Sequence, residues 1–341
     1  MNETPLLLRA LAGEDTPTAP VWFMRQAGRI LPEYRALKEK YSFWQLARTP
    51  DLATEVTLQP VKRFGVDAAI LFQDIMTPLP PMGVDIAFAP GPVISEPIRT
   101  RAQVDALRVP EQDEIAPFVR QAVQQIRDAS PVPLIGFGGA PLTLATYLIE
   151  GKGSKEYGNF RGFLRQEPEA AHALLEKLTE VTIRYLRDQV EAGAQAIQLF
   201  DSWAGLHDPK TYEEFSLPYN QRVMRALGDL GVPRIFLAVG AGHLYPVIRT
   251  LECEAFSVDW RRPLNEAREE LGARCIQGNL DPADLLGPKA HVEASVRRVM
   301  ASGLGGAHVF NLGHGMMPII SPDHVQHALD ISRSVDRHAR G

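Results

Sequence analysis

The sequence predicts a single (β/α)8 barrel, and three observations carry that expectation. Eight short apolar runs rich in Val, Ile and Phe recur along the 341 residues. Amphipathic stretches separate many of them, the strand–helix alternation that builds a parallel sheet. A polar residue or a glycine follows nearly every run, as where βα loops form the active face of a barrel. An open, doubly wound sheet would favour a G-x-G-x-x-G loop after the first strand, and none stands there.

Residues 21–24 (VWFM) form the first run and lead into Arg25. Residues 68–72 form the second, with Asp74 just beyond. Residues 132–137 run into Gly138-Gly139, and 196–200 into Asp201-Ser202. Then come 234–239 before Gly240, 255–258 before Asp259, 273–277 before Asn279, and 307–310 before Asn311 and His314. These runs are too short for the main helices and favour β-branched and aromatic residues. Residues 167–193 read as a long helix stopped by Gly193, and 111–129 as another. The proline-rich stretch 76–130 is expected as an insertion between the second and third strands, so the whole chain, 1–341, is one domain.

Lys and Arg number 36 against 41 Asp and Glu, a net charge of −5, with 45% hydrophobic and 23% charged residues. That is an ordinary soluble globular composition, which excludes a disordered chain and disfavours a nucleic-acid partner. Cys253 and Cys275 form no C-x-x-C pair and read as buried thiols in a reducing compartment. Residues 1–20 lack the apolar core of a secretory signal, and no apolar run approaches the roughly 20 residues of a membrane span. A cytoplasmic protein without a membrane partner is expected.

Residues 24–29 (MRQAGR) are the most informative. Two guanidiniums four residues apart leave a strand end, with Gly28 between them to let the backbone turn. Arginine's planar fork pairs bidentately with carboxylate or phosphate. A structural ion pair at the barrel rim is the alternative. Pro32 suits the first turn of a helix, with Glu33 near its positive end. Asp74 is either a helix cap or a functional acceptor; its apolar neighbours Met76, Pro78, Leu79 and Met82 would raise its pKa, and Arg25 or Arg29 would lower it. Residues 136–147 (GFGGAPLTLATY) read as a glycine-rich loop entering a helix. Such a loop could cradle a phosphate, though the Lys-Ser/Thr pair of a P-loop is missing. Tyr147 is then a core aromatic or a hydroxyl donor. Ser202 has no triad partners at useful spacing and reads as a hydrogen-bond donor. His314, between Gly313 and Gly315, suits ligand contact better than core packing.

The chain resembles the uroporphyrinogen decarboxylase family. Residues 24–29 with 31–35 (LPEYR) look like its first motif, and 136–141 with Thr143, Tyr147 and Glu150-Gly151 like its second. The similarity continues through 58–60 (LQP), 64–67 (FGVD), Asp74-Ile75, 277–282 (QGNLDP) and 311–315 (NLGHG), spanning nearly the whole chain in order. The resemblance implies a homodimer that removes carbon dioxide stepwise from the four acetate side chains of uroporphyrinogen III, without metal or organic cofactor. Coproporphyrinogen III is the product, in haem and other tetrapyrrole synthesis. By that similarity Asp74, Arg25 and Arg29 are catalytic. Asp74 accepts from the pyrrole N–H groups and stabilises positive charge, while the arginines hold carboxylates and one assists proton transfer. Gln26, Ala27 and Gly28 join them in binding substrate, with Tyr147, Ser202 and His314 against its carboxylates. Ile30, Leu142 and Ile319-Ile320 depart from the family pattern, which bears on pocket shape and not on reaction type.

Two other readings are open. A zinc-dependent cobamide or coenzyme M methyltransferase shares this barrel but needs a His-x-Cys ligand pair. Here His243-Leu244-Tyr245 follows the fifth run, with Tyr in place of Cys. A non-catalytic tetrapyrrole-binding protein would have no need of the arginines, Asp74, Tyr147 and His314 together. Between residues 21 and 63, eight Lys/Arg face four Asp/Glu, so a mildly acidic protein presents a basic segment suited to a polycarboxylate.

Overall fold

The computed structural model describes residues 3–88 and 91–338. Its strands are β1 (Ala69–Ile70), β2 (Ile86–Phe88), β3 (Pro92–Ile94), β4 (Leu134–Gly139), β5 (Ala196–Asp201), β6 (Arg234–Ala238), β7 (Ala255–Val258), β8 (Cys275–Leu280) and β9 (Ala307–Leu312). Seven of these form one parallel sheet in the order β1-β4-β5-β6-β7-β8-β9, wrapped by the intervening helices. Residues 20–22 close the gap between β9 and β1. Val21 pairs in parallel with Phe310, Phe310 N–H donates to Pro20 O at 2.9 Å, and Asp67 N–H donates to Val21 O at 2.7 Å. The result is a distorted (β/α)8 barrel with the expected insertion after β1.

The first run is a stave reduced to one bridged residue, where a full strand was expected. The cause is that side chains take over its backbone groups. Phe23 N–H donates to Gln26 Oε1 at 2.9 Å, and Met24 N–H to Asn311 Oδ1 at 2.9 Å, so the chain turns away before a ladder can extend. The insertion contains a short 3-10 turn, the helix Arg101–Ala106, and an antiparallel hairpin pairing Ile86 of β2 with Ile94 of β3. That hairpin was not foreseen, since each arm has only three residues. Tertiary packing holds it: the Phe88 ring lies 4.7 Å from Phe43 and 5.0 Å from Trp44.

The expected long helix is Pro168–Ala192, and Gly193 follows it at φ +123°. The stretch 111–129 splits into Gln112–Ile115 and Pro117–Ala129. Pro117 lacks an N–H and disfavours helical geometry at Ala116, so the break falls there.

The glycine-rich loop reading of 136–139 is corrected: these residues are the last four of the six in β4. Their N–H groups serve the sheet and its supports, Phe137 N–H donating to Gln189 Oε1 at 2.9 Å, so they form no phosphate cradle. Glycine is required by close packing instead. A Cβ on Gly136 would stand 2.5 Å from Gln189 Oε1, and one on Gly139 2.7 Å from Leu144 Cδ2.

Inside the barrel, a buried polar belt underlies the mouth. Gln277 Oε1 accepts from the Trp22 indole at 3.0 Å, while its Nε2 donates to Gln198 Oε1 at 3.0 Å and Ser257 Oγ at 2.9 Å. Cys275 is fully buried and Cys253 half-buried; burial raises both thiols, Cys275 to about 12. No helix among the described residues is long and apolar enough to cross a membrane.

Candidate active site

The C-terminal strand ends converge on one mouth, and Arg25 enters it from the turn after Met24. Its φ of +65° is unusual for a side chain with a Cβ and follows from the tight turn that Gln26 pins. Gly315 makes room for it, because a Cβ there would lie 2.6 Å from Arg25 Nε. Arg25 is exposed and makes no hydrogen bond or ion pair among the described residues.

Asp74 sits half-buried past the end of β1. One carboxylate oxygen, Oδ1, accepts from Met76 N–H at 2.9 Å, as a turn cap does. Its other oxygen has no partner among the described residues. Desolvation raises the Asp74 pKa and outweighs the lowering by the Met76 N–H and by Arg25. The capping reading of Asp74 therefore holds at Oδ1, for a turn and not a helix, and Oδ2 is left open.

Tyr147 projects from the helix Pro141–Glu150, its phenol raised by burial and then by the Asp74 charge. His314, half-buried on the loop after β9, is held down at about 4 by burial, then by Arg25 and Arg261. At neutral pH it is an uncharged imidazole that can donate or accept. Arg25, Asp74, Tyr147 and His314 thus share one electrostatic neighbourhood. Ser202 is half-buried just past β5, beside Trp203, whose ring centroid lies 5.9 Å from that of Tyr147.

Other expected residues stand apart from this group. Arg29 is exposed on the turn before the helix Pro32–Lys38, its carbonyl accepting from Arg35 Nη1 at 3.1 Å. Gln26 is fully buried with its amide committed to Phe23 N–H and to Ala68 O at 2.9 Å, so its side chain builds the turn. Ala27 and Gly28 are half-buried on the same turn. Ile30 and Leu142 belong to the buried core, whereas Ile319 is 76% exposed.

Arg261 was missed. It stacks on Trp260 at 4.2 Å, pairs with Asp259 at 3.0 Å and helps keep His314 neutral. The signal was available, for Asp259-Trp260-Arg261 directly follows a strand run. The zinc alternative finds no thiolate here, because Tyr245 is buried at the position in question and His243 Nε2 bonds to His207 O at 2.8 Å. Among the described residues no three His, Cys, Asp or Glu side chains gather as a metal site.

Comparison with known proteins agrees with this geometry. The family model described as "Uroporphyrinogen decarboxylase (URO-D)" matches residues 2–335. A curated uroporphyrinogen decarboxylase of Geobacter sp. (strain M21) is 45% identical over 333 residues, covering 97% of this chain and 98% of the relative. That of Geobacter sulfurreducens is 44% identical over 327 residues, covering 95% and 96%. Among solved structures, a methyltransferase from Methanosarcina mazei superposes with a TM-score of 0.78 at 22% identity, over 96% of each chain, and shares the fold. A matching family profile along almost the entire length, joined to relatives of this identity, means that the chain belongs to the uroporphyrinogen decarboxylase family.

Proposed function

We propose that the protein decarboxylates the four acetate side chains of uroporphyrinogen III, giving coproporphyrinogen III, and that it does so as a homodimer whose unit is the whole chain, 1–341. The observation that carries this reading is Asp74: a desolvated carboxylate with one oxygen fixed by the Met76 N–H and the other open, beside the unpaired cation of Arg25.

Breaking the bond between a pyrrole acetate methylene and its carboxylate releases an electron pair that needs a sink. Protonation of the ring carbon next to that side chain supplies one, because positive charge then resides on the pyrrole nitrogen. Carbon dioxide leaves, the electron pair neutralises the ring, and a proton on the methylene with loss of the ring-carbon proton gives the methyl. The net change is one proton in place of each carbon dioxide. A fixed carboxylate aimed at the pyrrole N–H groups is preorganised for that cation, and weak solvation makes its field stronger than it would be in water. Arg25 and Arg29 hold substrate carboxylates, and one of the two assists proton transfer. Neutral His314, Tyr147 and Ser202 contact further carboxylates without adding charge, and Ala27 and Gly28 line the turn that carries the arginines.

The test is anaerobic incubation of the purified protein with chemically reduced uroporphyrin. Products lacking one to four carboxyls should accumulate in sequence. Tight binding without loss of carboxyls would instead establish the non-catalytic tetrapyrrole binder, and absence of both would remove the reading.

A further inference from the structure

Thr143 belongs to the second sequence motif but has no part in the chemistry above. It lies fully buried in the first turn of the helix Pro141–Glu150. Its hydroxyl donates to Asp201 Oδ1 at 2.8 Å and accepts from the Trp203 N–H at 3.3 Å. The other Asp201 oxygen accepts from Tyr212 OH at 2.9 Å, Ser216 Oγ at 3.1 Å and Asn220 Nδ2 at 3.2 Å. One buried carboxylate therefore gathers donors from the helix after β4 and from the paired helices Pro209–Phe215 and Leu217–Ala226.

Through Thr143 this network grips the backbone just past β5, where Ser202 and Trp203 stand. The Trp203 ring packs between two phenols, 5.9 Å from the Tyr147 centroid and 4.7 Å from that of Tyr157. Its indole N–H is buried with no full hydrogen bond among the described residues, yet it lies near enough to the Tyr147 phenol to lower its pKa.

We propose that Thr143 is a positioning residue: its hydroxyl joins Asp201 to the Trp203 backbone, and the Trp203 ring so placed sets the Tyr147 phenol and the neighbouring Ser202. This rests on the reading of Tyr147 and Ser202 as substrate contacts. Valine has nearly the shape of threonine but loses both hydrogen bonds, leaving a desolvated carboxylate one donor short. Serine keeps both bonds.

The experiment compares Thr143→Val, Thr143→Ser and Trp203→Leu for kcat and KM separately, for the near-ultraviolet circular dichroism of the Trp–Tyr cluster, and for melting temperature. Thr143→Val should raise KM about tenfold with kcat changed less than about threefold, and should alter the near-ultraviolet band. Thr143→Ser should stay within about twofold of wild type in both constants. A hydroxyl with only a structural role would lower the melting temperature and leave KM of the folded enzyme unchanged; that result overturns the proposal, as does a serine variant that fails as valine does. Trp203→Leu keeps the hydroxyl and removes the ring, so an unchanged KM in that variant overturns it even if neither Thr143 variant folds. The dichroism needs no turnover. An inactive wild type with the Val/Ser spectral difference intact upholds the joint and removes the decarboxylase reading, whereas normal turnover without that difference removes the joint alone.

Discussion

At each end of β9 a histidine with a depressed pKa lies beside an arginine, and the two pairs behave differently. Near the start of the strand, burial holds His308 at about 3, with its Nε2 bonded to Gly278 O at 2.8 Å. Its neighbour Arg337 is fully buried and donates to Asp15 Oδ1 at 2.8 Å, Gly306 O at 2.7 Å, Gly303 O at 3.2 Å and His308 Nδ1 at 3.3 Å. Just past the other end, burial holds His314 at about 4 beside Arg25, which bonds to nothing among the described residues. A histidine with a depressed pKa is therefore no mark of a site in this fold, because both ends have one. What separates them is the cation: paired with Asp15 at the closed end, without a partner among the described residues at the mouth. An exposed guanidinium left open beside the desolvated Asp74 and His314 marks that end as the candidate site.

The contrast makes opposite demands on the two arginines. Arg337→Met leaves the buried His308 ring and two carbonyls without their donor, so stability to urea should fall by roughly 3 kcal/mol or more while turnover per folded molecule is kept. Asp74→Asn should do the reverse. Its kcat should drop on the order of 10²–10³-fold, and its melting temperature should hold or rise, because the carboxylate it replaces is desolvated. Near-normal coproporphyrinogen formation by that variant would remove Asp74 from the mechanism.

Arg25→Gly probes the same mouth at smaller scale. KM should increase about tenfold or more, whereas stability should stay within about 1 kcal/mol, since glycine accepts the positive φ at little cost. A loss of stability as large as that of Arg337→Met would abolish the distinction between the two cations.

The smallest effect at neutral pH is that of His308→Asn. The wild-type imidazole sits at about 3 in the fold and near 6.5 when unfolded, so the unfolded chain binds more protons between those values. Its contribution to stability is complete above about 6.5 and is lost as pH falls toward 3. Asp74 and Asp201, raised by burial, act in the opposite sense, which is why the variant and wild type must be compared. Asparagine should flatten the acid limb of the melting-temperature profile; an unchanged limb would show that His308 does not drive it.

Much of this architecture was legible because barrel strands are local signals. The eight runs all lie on staves, and the helix ending at Gly193 falls where its apolar spacing ends. The misreadings share a cause in contacts distant along the chain. Gly136 to Gly139 look like a loop until Gln189 and Leu144 are seen pressing on them. That the Gln26 amide is claimed by Ala68 O, two residues from the β9 tie at Met24, likewise shows only in the fold. Within the site, Arg25, Asp74, Tyr147 and His314 could be named from sequence, since each directly follows a strand or sits in a motif. Arg261 carries the same signal, directly after a strand, but its stack on Trp260 and the Trp203 packing do not show in sequence, because stacking depends on where side chains meet in space.

Asn311 carries a consequence for how the molecule comes into being. Its Oδ1 takes the N–H of Met24, while Met24 O takes the N–H of Met316, so the turn bearing Arg25 is seated by residues nearly three hundred positions later. On a ribosome that turn emerges early and waits for its seat until almost the whole chain has been made. Contacts of such sequence separation form late and slow the folding search. The turn bearing Arg25 should thus remain unformed during synthesis, and a nascent chain stopped before β9 would carry Arg25, Asp74 and Tyr147 with that turn unseated.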